Sequence, residues 1–103
     1  MEGEFILLGT EVDDDGIPWA LLAREHDGEL EFAGPAILRT PSNARAEWAD
    51  KFAAMSIERP ALRGLRRGNR ARWLKPEFRV RAQYLKTKGT LRHGTVKELL
   101  IHE

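Results

Sequence analysis

The chain has 103 residues, one domain's worth, which excludes a two-domain enzyme and leaves little room for a large active-site cleft. Hydrophobic residues make up 42% and charged residues 32%, enough for one core, and the absence of cysteine excludes disulfide staples, thiol nucleophiles and cysteine-ligated zinc. Lysine plus arginine number 17 against 16 aspartates plus glutamates, a formal net charge of +1 that hides a split: −9 over residues 1–58, +12 over 59–97 and −2 over 98–103. Such asymmetry points to a face that meets a polyanion; the alternative is that the halves neutralise each other within the fold. No run of about 18 apolar residues exists, so no contact with a membrane is expected. Met1–Glu4 holds two acids and no basic residue, unlike a secretory signal, so a cytoplasmic location is expected, nucleoid-associated if bacterial.

Glu4–Thr10 (EFILLGT) is an apolar run followed by the turn signal Asp13-Asp14-Asp15-Gly16. Pro18–Arg24 (PWALLAR) leads to a second turn at His26-Asp27-Gly28. Glu29–Ala33 (ELEFA) follows, is interrupted by Gly34-Pro35, and resumes at Ala36–Leu38. Two Asp-Gly turns between short apolar runs describe a three-strand meander. Thr40-Pro41-Ser42-Asn43 then signals a helix start, with Ser42 or Asn43 as the cap. Over Ala44–Met55, Trp48, Phe52 and Met55 recur at i, i+4 and i+7, one apolar stripe that reads as core packing.

Ser56–Asn69 carries Arg59, Arg63, Arg66 and Arg67 among Pro60, Gly64 and Gly68, and reads as a basic loop. Arg70–Lys75 is a strand candidate that stops at Pro76. Glu77–Lys86 has the clearest period of two: Phe78, Val80, Ala82 and Tyr84 alternate with Arg79, Arg81, Gln83 and Leu85. Thr87-Lys88-Gly89 is a turn, Thr90–Val96 a short strand, and Lys97–Ile101 a final helical turn. Three strands, a helix and two strands predict a mainly β fold over residues 1–103: a five-stranded OB-fold Greek-key barrel with one helix between strands 3 and 4. The alternative is an open α+β sheet with the helix on one face.

Arg72-Trp73-Leu74-Lys75-Pro76-Glu77-Phe78, then Tyr84, then Gly89-Thr90-Leu91-Arg92-His93, resemble the C-terminal OB domain of ATP-dependent DNA ligases, the bacterial DNA ligase D type most closely. That family carries W-[VL]-[KR]-P-E, a strand, and G-x-L-R-H. The resemblance extends to Ala20–Ala23, Asp27–Leu30 and Phe32–Gly34 and implies an OB barrel with a DNA-facing role in repair or end joining. The ligase chemistry does not carry over. The adenylation motif K-x-D-G is absent, for Lys51, Lys75, Lys86, Lys88 and Lys97 are all followed by other residues. The family's basic tail, L-R-x-D-K, is replaced by Leu99-Leu100-Ile101-His102-Glu103, and an acidic end repels a triphosphate. No ligation by this chain alone is therefore expected, and a natural stand-alone barrel is favoured.

Chemistry of other kinds finds little support. His26, His93 and His102 have no partner at metal-ligand spacing, and no phosphate-cradling glycine motif exists, so no metal and no cofactor are expected. Asp13, Asp14 and Asp15 form either a hard-cation site or a solvated turn. The candidate nucleic-acid-binding residues are Arg63, Arg66, Arg67, Arg70, Arg72, Lys75, Arg79, Arg81, Lys86, Lys88, Arg92, His93 and Lys97. Arginine's planar fork of donors matches phosphate oxygens. Trp73 is a candidate for stacking on a base; the alternative puts it in the core with Tyr84 and Trp19. The expected partner is DNA, whether single-stranded, nicked or duplex. Alternative functions are a protein-interaction domain with a basic edge, or a trans-acting subunit beside a separate ligase catalytic subunit.

Overall fold

A computed structural model describes residues 2–40, 42–62, 71–85 and 92–100. Its strands are β1 (Glu2–Val12), β2 (Pro18–His26), β3 (Glu29–Leu38), β4 (Ser56–Ile57), β5 (Arg72–Leu74), β6 (Arg79–Leu85) and β7 (Arg92–Leu100), with one helix, α1 (Arg45–Ala54). Antiparallel pairings run β1–β2, β2–β3, β7–β6 and β6–β1, and a parallel pairing joins β3 to β7. Five strands thus close a ring, and the expected OB-type barrel is the fold observed. The β2–β3 hairpin turns at Asp27-Gly28 with φ of 51° and 82°, the positive pair that a two-residue primed turn needs.

Alternation fills the barrel. Phe5, Leu7, Ala20, Leu22, Val80, Ala82 and Val96 are buried and belong to one interior cluster. The helix stripe joins it: Trp48 is buried, Phe52 and Met55 pack alongside, and Phe52 meets Phe78 edge-on at 5.5 Å. Tyr84 packs there too, edge-on to Phe5 at 5.6 Å, as the core reading expects. A second, smaller cluster lies on the other face of β1 and β2. Leu8, Leu21 and Ala23 are fully buried in it, with Leu30, Phe32, Leu62, Ala71 and Trp73 packed against them. Alternation along β1 thus serves both clusters, Leu7 the interior and Leu8 the other face.

Several local expectations change. β7 continues as strand to Leu100, where a helical turn was expected over Lys97–Ile101. Leu99 pairs with Val80 and packs against the interior, so ladder bonds and burial outweigh the helix propensity of Lys-Glu-Leu-Leu. β3 runs unbroken through Gly34-Pro35, because a bulge opposite Leu22 and Ala23 absorbs the irregularity. Neither Ser42 nor Asn43 caps α1; Ser42–Ala44 form a 3-10 turn, and Ala44 starts the helix with no side-chain cap bond. The predicted basic loop begins with the strand β4, which pairs with β5. Trp19 is half-buried rather than in the core, and its Nε1 donates to Asp13 Oδ2 at 2.9 Å.

β1 holds the fold from both edges. Its residues Gly9 and Thr10 pair with β2 on one side and with β5 on the other. A Cβ at Gly9 would collide with the Arg72 carbonyl oxygen and lie 3.0 Å from Trp73 Cε3. Gly9 is therefore what lets β5 lie flat on β1. We predict that Gly9→Ala destabilises the protein by about 1–3 kcal/mol, as overpacking against backbone does, measured as a lowered urea midpoint. An unchanged midpoint would show that β5 does not need this close approach.

Candidate nucleic-acid interface

β5 and β6 lie in series along one edge of β1, β5 on residues 9–10 and β6 on residues 2–6. Arg72, Lys75 and Arg79, all exposed, follow one another along this edge, Arg72 on the same face as Leu74 and Arg79 on the face opposite Val80. Lys75 is fixed at its backbone, where its N–H donates to the Met55 carbonyl at 2.9 Å and ties the end of β5 to the end of α1. Among the described residues none of the three has an ion-pair partner.

Arg81 is placed differently. It stands across from Glu4 on β1 and Glu98 on β7, one row of the sheet with an acid on each side. Its Nη1 donates to Glu98 Oε2 at 3.0 Å. Both side chains are about half exposed, so the pair is solvent-screened and weak. The period of two could place Arg81 on the outer face, but only the register of β6 between β1 and β7 reveals its two acidic neighbours.

Arg92, His93 and Lys97 lie on the backbone of β7. Arg92 pairs with Leu85, and Lys97 is the extra residue of a bulge between Val96 and Glu98. Arg63, Arg66, Arg67, Arg70, Lys86 and Lys88 lie outside the described residues. The chain on either side of Arg63–Arg70 is anchored, since Leu62 and Ala71 both pack on the second cluster. Trp73 is half-buried on the same cluster and also lines a surface groove with Ile57 and Glu58. No periodicity signals that groove, because its walls come from β4 and β5, which meet only through the fold.

The aspartate run serves the β1–β2 turn. Asp13 Oδ1 accepts the N–H groups of Asp15 and Ile17, each at 2.9 Å, while Oδ2 holds Trp19. The carboxylate of Asp13 thus accepts from its own turn and from the start of β2. Among the described residues no group of three or more histidines, aspartates or glutamates is placed to hold a metal ion. Nor, among them, is any helix long and apolar enough to cross a membrane.

Set beside known proteins, the barrel has close counterparts in shape. Mycobacterial DNA ligase D complexed with ATP and MES matches with a TM-score of 0.80, over 100% of this chain and 35% of that one, at 18% identity. The ligase domain from M. tuberculosis LigD matches at 0.79, over 97% of this chain and 35% of that one, at 17% identity. The fold is one found in DNA ligase D. The resemblance carried by Trp73–Glu77 and Gly89–His93 is thus matched by the shape of the whole barrel. The chain spans about a third of each ligase chain, and the likeness is one of fold. No family model matches the sequence, and no curated protein does.

A double-mutant cycle on Arg81→Ala and Glu98→Ala should give a coupling of about 0.2–1 kcal/mol, typical of an exposed pair. A coupling of several kcal/mol would mean the pair is structural and closed to an outside anion.

Proposed function

We propose that this barrel is a DNA-binding module related to the OB domain of DNA ligases, acting in repair or end joining. The observation that supports it most directly is that Arg72, Lys75 and Arg79, in series along one strand edge of a ligase-type fold, are exposed and unpaired among the described residues. The mechanism is phosphate neutralisation: each arginine fork or ammonium replaces condensed counterions on the backbone, and their release drives binding. Contacts of this kind position a strand without reading its bases. Residues 59–97, net +12, provide further cations for the same anion. These 103 residues hold no K-x-D-G lysine, and the proposed role is binding rather than the joining step.

The Arg81–Glu98 pair tunes this surface. An approaching phosphate competes with Glu98 for the guanidinium, and Glu4 opposes it from the other side. The affinity of the β6 row therefore depends on acids as much as on arginines.

Fluorescence anisotropy of labelled single-stranded, nicked and duplex DNA over a salt series tests the proposal. Replacing Arg72, Lys75 and Arg79 together by alanine removes about three phosphate contacts. The slope of log K against log salt on duplex should flatten by about 2.7. An unchanged slope would move the interface elsewhere, and no binding at low salt to any of the three forms would overturn the proposal. Glu98→Gln should do the opposite, freeing Arg81 and steepening the duplex slope by up to about 0.9. A weaker affinity in that variant would show that Glu98 supports binding rather than opposing it.

A further inference from the structure

Two surface grooves meet at Arg72. One lies between α1 and the sheet, has a volume of about 240 Å³, and is lined by Thr10, Phe52 and Leu74 among others. The other lies at the outer edge, has a volume of about 410 Å³, and is lined by Ile57, Glu58 and Trp73. Arg72 and Ser56 line both. The pleat explains the division. Ser56 stands across from Leu74 and Ile57 across from Trp73, so alternate residues of the two short strands face opposite sides.

We infer that these grooves form a site for an unpaired dinucleotide step of single-stranded DNA, with one base in each groove and the linking phosphate at Arg72 and Ser56. The inference rests on the DNA-binding reading above and adds the form of the strand and the position of two bases. A central cation flanked by two aromatic-walled recesses matches a phosphodiester with a base on either side. An extended peptide puts no charge between its side chains and matches it less well. Trp73 lies in the outer groove and Phe52 in the inner one, giving each base a ring to contact. Arg72 and Ser56 are both exposed residues, and a guanidinium and a hydroxyl can each donate to phosphate oxygens.

Glu58 gives the outer groove a polarity of its own. Continuing the β4–β5 register sets Glu58 level with Arg72, yet none of the described ion pairs joins them. Its carboxylate is an acceptor at the groove wall and repels phosphate. It suits a base edge rich in N–H donors, such as the amino group of adenine or cytosine. Bases locked in a duplex cannot enter either groove without unpairing, so the site selects single strands.

The test compares the unaltered protein's affinity for an eight-nucleotide deoxyadenosine strand with that for an eight-unit abasic strand of equal charge, at one salt concentration. Stacking at the two grooves should make the base-bearing strand bind about 5- to 100-fold more tightly. Trp73→Leu, checked for folding by thermal denaturation, should cut that ratio at least severalfold. Glu58→Gln, which leaves the packing alone, should narrow the preference for deoxyadenosine over thymidine strands. Equal, salt-dependent affinity for both octamers would overturn the dinucleotide site and leave the DNA-binding proposal standing. No binding of either would overturn the dinucleotide site, and the DNA-binding proposal would fall with it only if nicked and duplex DNA also fail to bind at low salt. A ratio unchanged in folded Trp73→Leu and a base preference unchanged in Glu58→Gln would place the bases elsewhere and also overturn the inference.

Discussion

The ring of strands closes where β7 runs alongside β3, through the parallel pairs Ile37–Thr95 and Leu38–Val96. That seam is short, and the backbones approach closely there: a Cβ on Gly94 would sit 3.0 Å from the Cβ of Ala36. Closure at this point turns the β1–β2–β3 meander and the β6–β7 pair into one barrel. It also removes strand edges that would otherwise expose unpaired backbone groups. The interior cluster is contiguous because of it, joining Ala36 and Leu38 on one side of the seam to Val96 on the other. Each large apolar side chain taken from water there contributes about 1.5–3 kcal/mol before the entropy of ordering is subtracted.

Closure also decides what each charge meets. β6 is held between β1 and β7, so Arg81 lies in a row with Glu4 and Glu98. Two residues earlier on the same strand, Arg79 stands across from Ile6 and Leu100 and has no carboxylate opposite it. The same residue type, two positions apart, is ion-paired at one position and, among the described residues, unpaired at the other. Coulomb attraction between exposed groups is weak in water, but a phosphate must still outcompete whichever carboxylate is nearest.

The departures from the ligase pattern have a structural counterpart at the end of the chain. Where the ligase family carries a basic tail, this sequence has Leu99 and Leu100, and both pair with β6. Leu99 packs on the interior. These residues lengthen the last strand of the barrel. The segment is occupied in building the wall. The aspartate run is likewise structural, since Asp13 holds its own turn and the indole of Trp19.

Sequence alone determined the features that depend on near neighbours. The Asp27-Gly28 turn, the apolar stripe of Trp48, Phe52 and Met55, and the alternation from Phe78 to Tyr84 each follow from local backbone geometry. Together with the Trp73–Glu77 segment they specified the barrel. They also identified the cations, since a charge needs no fold to be counted. Only the tertiary structure decided what the described cations Arg79 and Arg81 stand across from, because register sets a residue's cross-strand partner and a slip of one position changes it. Lys-Glu-Leu-Leu became strand and not helix for the same reason: β6 offered it hydrogen bonds and a surface to bury. The grooves at Arg72 lie still further from the sequence. Their walls come from residues 10, 52, 57 and 73, which closure of the chain brings together and no local pattern connects.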